Sequence, residues 1–248
     1  MALILIHGSW HNGAVWQKVE RLLATANIPT FAPTLSGFAS RHAPAGQDVG
    51  LALHIHDIVT LIQNQHLMDV TLVGHSYAGF VITGVAERIP ERITAMVYLD
   101  AFIPADNQSL SDLQSPEALA RWQTALVDAS GRSRADGASD VWLLPPGAPQ
   151  DFGVADPADI AWLGEQMVYT PMLTFTERVR VSNPRARLLP RYFIRCADFP
   201  YLADEEHKAE VLGWPIYRIP TGHDAMVTAP SAVAGILAQV VADQMPRG

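Results

Sequence analysis

The sequence predicts an α/β fold: a mostly parallel sheet flanked by helices, with a helical insertion ahead of its last strands. Three observations predict it. Residues 1–102 alternate short apolar runs with stretches of helical spacing; the alternation stops across 103–188; it resumes from 189 onward. Repeated β-α alternation sets consecutive strands parallel and puts the connecting helices on both faces of the sheet.

Each element has its own signal. "ALILIH" is an apolar run closed by Gly8, as in a strand buried on both faces. Val15, Val19, Leu22 and Leu23 give residues 15–27 a helical period. "IPTFAP" reads as a strand bounded by prolines. Leu53, Ile55, Ile58, Leu61 and Ile62 make 49–65 a helix, and "DVTLVGH" a strand follows it. Residues 77–89 form a helix that stops before Pro90, and "ITAMVYLD" is the next strand. Beyond the break, "RYFIRCA" is a strand, 203–212 a helix, "PIYRIP" a strand and 230–243 a closing helix. The expected organisation is a core made of 1–102 and 189–248, with 103–188 as a mostly helical lid over the carboxyl edge of the sheet. The lid carries Trp122, Trp142, Trp162, Met167, Tyr169, Met172 and Phe175, which divide between lid core and pocket wall.

Composition excludes several function classes. A chain of 248 residues, 49% apolar, fits one domain with a small insertion. Its 17 basic and 25 acidic side chains leave a net charge of −8, which argues against nucleic acid and anionic membranes as partners. No apolar run approaches the ~18 residues of a membrane span, and "MALILI" lacks the positive flank of a signal peptide. The expected location is the cytoplasm. The single cysteine, Cys196, makes no internal disulfide and sits in an apolar strand. His54 and His56 are two apart on a helix, so they face different sides, and no metal site is expected. The basic stretch "ERVRVSNPRARLLPR" reads either as a solvated or subunit-facing surface or as a site for an anionic substrate.

The chemistry centres on "TLVGHSYAGF", a strand, then Gly74-His75-Ser76-Tyr77-Ala78-Gly79, then a helix. A sharp strand-to-helix turn strains the serine and exposes its hydroxyl at the sheet edge, which makes Ser76 the candidate nucleophile. Gly74 and Ala78 supply the small residues that the close approach of strand and helix demands. Acyl transfer also needs two backbone amides aimed at one oxygen. Tyr77, after the nucleophile, offers one; Ser9, in the loop "HGSWHNGAVW" after the first strand, offers the other, with Trp10 as the alternative donor. Trp10 and His11 in the same loop are expected in the substrate pocket. His223, in "IPTGHDAM" after the last strand, is the expected base. Nucleophile, acid, histidine is the chain order that accompanies such a turn. For the acid, Asp198 after "YFIRCA" is placed first and Asp100 at the end of "VYLDAF" is the alternative. The side chain of Asp224 is expected to point away from the reacting groups.

Taken together, "HGSWHNGAVW", "LVGHSYAGFVITGVAERIPERI", "VYLDAFIP" and "GHDAMVTAP" resemble the α/β-hydrolase superfamily. The likeness is closest to small bacterial esterases allied to the plant methyl-esterase and hydroxynitrile-lyase family. The resemblance covers both ends of the chain and does not inform the lid. It implies a sheet of about six main parallel strands, no cofactor, and a small hydrophobic aryl or alkyl ester or carbamate cleaved through an acyl-enzyme. A homodimer is expected. A small-ligand receptor and hydroxynitrile-lyase-like chemistry are the alternatives on the same fold. Such lyases carry a lysine beside the catalytic histidine, where this sequence has Asp224, so the resemblance disfavours lyase activity.

Overall fold

The computed structural model describes residues 1–39, 49–137 and 139–244. In chain order its strands are β1 (Ala2–Ile6), β2 (Thr30–Phe31), β3 (Val70–His75), β4 (Ile93–Leu99), β5 (Leu143–Leu144), β6 (Thr170–Pro171), β7 (Arg191–Cys196) and β8 (Ile216–Ile219). The helices are α1 (Gln17–Thr25), α2 (Leu51–Asn64), α3 (Ala78–Arg88), α4 (Pro116–Ala125), α5 (Pro157–Gln166), α6 (Leu173–Thr176), α7 (Pro184–Arg187), α8 (Ala203–Val211), α9 (Ala225–Thr228) and α10 (Pro230–Asp243). Six strands form one sheet in the order β2-β1-β3-β4-β7-β8, every pair parallel. β2 pairs with β1 through only two residues. Pro29 and Pro33 flank it, and a proline has no N–H to offer a ladder.

The strand side chains alternate between two cores. Leu3, Leu5, Val73, Val97, Leu99 and Ile194 pack with α1 and α10. Ile4, Ile6, Leu72, Met96, Tyr98 and Phe193 pack with α2 and α3 on the other face. Both faces are covered, which is why the central strands read as continuous apolar runs rather than as alternating ones. Each fully buried Leu or Ile contributes about 1.5–3 kcal/mol.

The region between β4 and β7 is the stretch expected to be a mostly helical lid. It holds α4 to α7 and also the antiparallel pair β5–β6, with Leu143 opposite Pro171 and Leu144 opposite Thr170. Pro145 and Pro146 end β5 after two residues, too short a run to show a period.

All six parallel strands point their carboxyl ends the same way. The loops after β1, β3, β4 and β8 therefore collect Ser9, Ser76, Asp100 and His223 along one edge of the sheet. Among the described residues no helix is long and apolar enough to cross a membrane.

Candidate active site

Ser76 sits between β3 and α3 with φ at +56°, a left-handed conformation that a non-glycine residue adopts at a cost. Its amide donates to the Leu99 carbonyl at 3.2 Å, and its own carbonyl accepts from Gly79 and Phe102. These bonds hold the strained turn. The need for small neighbours is visible here. A Cβ on Gly74 would stand 2.6 Å from the Ala78 carbonyl oxygen, and one on Gly79 would stand 2.0 Å from that of Phe102.

His223 lies in the turn after β8, and its Nδ1 faces Asp100 Oδ2 at 2.7 Å. Nδ1–H donates there, which leaves the Nε2 lone pair free to face the cavity that Ser76 also lines. Phe199 stacks on the imidazole with ring centroids 4.5 Å apart. Asp100 is fully buried. Its other oxygen accepts from Arg195 Nη1 at 2.7 Å and from the Cys196 amide at 3.1 Å. Asp198, the position placed first from sequence, is corrected: its side chain is exposed, and its amide donates to the Thr221 carbonyl at 3.1 Å. The turn after β7 carries Asp198 outward, whereas the end of β4 leaves Asp100 directly beneath His223.

Arg195 stands outside every motif in the sequence. It is almost completely buried and also donates to the carbonyls of Cys196 and Phe199. A lone arginine inside the apolar strand "YFIRCA" was the available signal, because a buried cation needs an acidic partner. Cys196 is a buried structural thiol whose pKa burial pushes up.

The loop after β1 packs tightly on Ser76: a Cβ on Gly8 would stand 2.8 Å from the Ser76 Cβ. Ser9 and Trp10 line the cavity beside Ser76. The Trp10 amide is committed to Thr170 Oγ1 at 2.8 Å, so Ser9 remains the candidate donor in this loop. Tyr77 stands at the start of α3, with its side chain buried beneath the site. Trp10 also ties the loop to the lid, through Nε1 to the Leu144 carbonyl and through its own carbonyl to the Val168 amide. His11 is corrected. It does not line the cavity; it is buried behind it, against Asp224.

The cavity has a volume of about 640 Å³. Trp10, Trp122, Phe152, Phe175 and Phe199 wall it, and Gln114, Arg121 and Tyr201 bring polar groups to it. Of the lid residues named from sequence, only Trp122 and Phe175 reach it. Trp142 packs against the α2–α3 side, Trp162 and Met167 against the α1–α10 side. The arginine-rich stretch serves the surface: Arg178 pairs with Asp112, and Arg180 with Asp106. Among the described residues no group of three or more His, Cys, Asp or Glu side chains could hold a metal ion.

Two histidines under the site are held neutral. His54 meets the Tyr77 hydroxyl at 3.0 Å and donates from Nε2 to the Ser36 carbonyl at 2.9 Å. Burial lowers it to about 4. His7 accepts the Leu35 amide, and burial lowers it to about 3. In the unfolded chain both protonate near 6.5. Between those values the unfolded state binds more protons than the folded one, so stability falls as pH drops below about 6.5. At about 1.4 kcal/mol per unit, His54 alone takes away roughly 3 kcal/mol by pH 4. Urea midpoints measured at pH 7, 5.5 and 4.5 should fall steadily, and His54→Gln should flatten the slope. A wild-type midpoint that stays constant over this range contradicts the buried neutral state.

The model of the α/β-hydrolase family matches residues 3–236. A carbendazim-hydrolyzing esterase of Nocardioides sp. (strain SG-4G) is 34% identical over 241 residues, covering 95% of this chain and 97% of that protein. An extracellular α/β-hydrolase from a Paenibacillus species, described as sharing structural and functional homology with tobacco salicylic acid binding protein 2, superposes with a TM-score of 0.77 at 22% identity. The match covers 96% of this chain and 98% of that one. A pyrethroid hydrolase from Sphingobium faniae JZ-2 superposes with a TM-score of 0.70 at 19% identity, over 96% of each chain. At these identities the two structures speak for the fold alone. Sheet order, strained turn and family match agree: the chain belongs to the α/β-hydrolase family.

Proposed function

We propose that this hydrolase is a serine esterase that cleaves carboxylic esters or carbamates bearing an aromatic or modest apolar group. The observation that carries this reading is the His223–Asp100 pair. Nδ1 is spent on a buried carboxylate, so Nε2 faces the cavity lined by Ser76. In the proposed reaction His223 Nε2 takes the Ser76 proton as Oγ attacks the substrate carbonyl carbon. The carbonyl oxygen gains the negative charge and lies against the amides of Ser9 and Tyr77. The tetrahedral species collapses and expels the alcohol, which receives the proton from His223. Water repeats the sequence on the acyl-enzyme, releasing the acid and restoring Ser76. Asp100 orients the imidazole and stabilises the imidazolium that forms.

The aromatic walls suit a flat apolar group, since a pocket of this kind binds by apolar contact and orients by a few polar groups. The carbendazim-hydrolyzing relative, matched over nearly its whole length, supports a carbamate among the substrates. The position after His223 offers no cation to a leaving cyanide, because Asp224 is buried and turned onto His11. Lyase chemistry therefore gains no support.

A panel of p-nitrophenyl esters of graded chain length, run beside aryl carbamates, tests the proposal together with labelling by a fluorophosphonate. Turnover of at least one class, and a labelled peptide carrying the adduct on Ser76, is the expected result. Substrate turnover by a protein whose Ser76 takes no label under the same conditions would exclude this mechanism.

A further inference from the structure

Behind the reacting groups lies a second set of titratable side chains with no part in the proton transfers above. His11, His75 and Asp224 are all buried, with relative exposures of 1%, 0% and 0%. Each is joined to a reacting group by a short piece of chain. His11 is two residues past Ser9, His75 immediately precedes Ser76, and Asp224 immediately follows His223. Their contacts knit the three loops together. His11 Nδ1 lies 2.6 Å from the Ser9 carbonyl oxygen, and its Nε2 lies 3.2 Å from Asp224 Oδ2. His75 Nε2 donates to the His223 carbonyl at 3.1 Å and stands 3.8 Å from Asp224 Oδ1.

The hydrogen count constrains the charges. A carbonyl only accepts, so His11 Nδ1 must carry a proton. A carboxylate at Nε2 would make both nitrogens donors and the ring an imidazolium. The groups facing it are Asp224 from the turn before α9, His75 from the end of β3 and His7 beside β1, with the Phe152 ring closing the lid side. Burial works against a cation here, yet the charge and hydrogen bond of Asp224 and the Ser9 carbonyl outweigh it and raise the His11 pKa. His75 goes the other way: burial first, then His223 and His11, hold it well below the usual range, so it stays neutral. Asp224 Oδ1 makes no hydrogen bond among the described residues and faces His75 Nε2 at 3.8 Å.

We propose that His11 and Asp224 form a buried imidazolium–carboxylate pair that positions the oxyanion loop against the His223 turn and presents a fixed dipole to the transition state. This rests on the serine-esterase reading. In that reading negative charge grows beside the Ser9 amide while positive charge grows on His223. The pair sets its cation on the Ser9 loop and its anion on the residue after His223, so each end opposes the charge developing nearest to it. A dipole already in place needs no reorganisation during reaction. Both side chains are positioning residues, because neither touches the cavity.

Asp224→Asn tests the pair with little change of shape. Neutral His11 can still donate to Ser9 and accept from the new amide, so the hydrogen bonds survive while both charges vanish. The expected result on a p-nitrophenyl ester is a tenfold or larger fall in kcat with KM within twofold. The histidine side-chain NMR spectrum should show His11 as an imidazolium at pH 7.5 in the wild type and neutral in the variant. Wild-type kcat in a folded Asp224→Asn protein overturns the proposal, as does a neutral His11 in the wild type. Should Asp224→Asn fail to fold, His11→Gln removes the cation instead and must show the same fall in kcat; wild-type kcat there overturns the proposal. If neither folds, the wild-type spectrum decides it. Ser76 labelling separates the two ideas: loss of labelling in the wild type defeats the esterase reading, whereas a labelled Ser76 with unchanged Asp224→Asn kinetics defeats only the pair.

Discussion

Ser76→Ala is expected to lower kcat/KM by about 10⁵-fold or more, within the range seen when a serine nucleophile is removed from a working triad. At about 1.36 kcal/mol per tenfold, that is roughly 7 kcal/mol of transition-state stabilisation. What remains in the variant is an intact cavity with the candidate donors Ser9 and Tyr77, which can accelerate attack by water only modestly. Substrate binding should persist, since the aromatic walls do not involve the hydroxyl. The strained turn should persist too, because the amide and carbonyl of residue 76 hold it through Leu99, Gly79 and Phe102. Active-site titration with a fluorophosphonate, initial rates and a thermal melt check the three statements together. A folded variant that keeps more than a hundredth of wild-type activity would mean that another group attacks the carbonyl.

The features that could be read from sequence are those encoded by neighbouring residues. β1, β3 and β4 stand out because burial on both faces demands unbroken apolar runs, and the Ser76 turn stands out because strand, small residues and helix are contiguous. The acid could not be ranked this way. Asp100 and Asp198 both follow strands, and those strands, β4 and β7, are neighbours in the sheet. The choice depends on which loop turns inward, a matter of three-dimensional packing. Arg195 bears on it: it lies in a run buried on both faces, so its charge must meet a carboxylate from an adjacent strand end. His11 failed as a pocket residue for the related reason that its partner Asp224 is 213 positions away. The β5–β6 pair was illegible because two-residue strands show no period.

Asp100→Asn is expected to lower kcat about 10⁴-fold, the size of loss that follows when a triad histidine is held in the wrong tautomer. The structure supplies the reason for this chain. Oδ1 of Asp100 accepts from both Arg195 and the Cys196 amide, so an asparagine must turn its oxygen toward them. Its NH₂ then faces His223 Nδ1. Nδ1 can receive that hydrogen bond only as an acceptor, which moves the imidazole proton to Nε2 and removes the lone pair that should take the Ser76 proton. KM should change little, because the cavity walls are untouched. Removing a buried charge also leaves Arg195 short of a partner, which can cost about 3–5 kcal/mol of stability. Glu206 Oε2, at 3.3 Å from Arg195 Nε, softens that loss. Kinetics therefore belong well below the melting temperature, with circular dichroism as the check on folding. Asp198→Asn is the matched control. Its exposed side chain should leave kcat and KM within twofold of wild type. The reverse pattern, a silent Asp100→Asn and a crippled Asp198→Asn, would require the turn after β7 to fold inward during catalysis and would displace Asp100 from the mechanism.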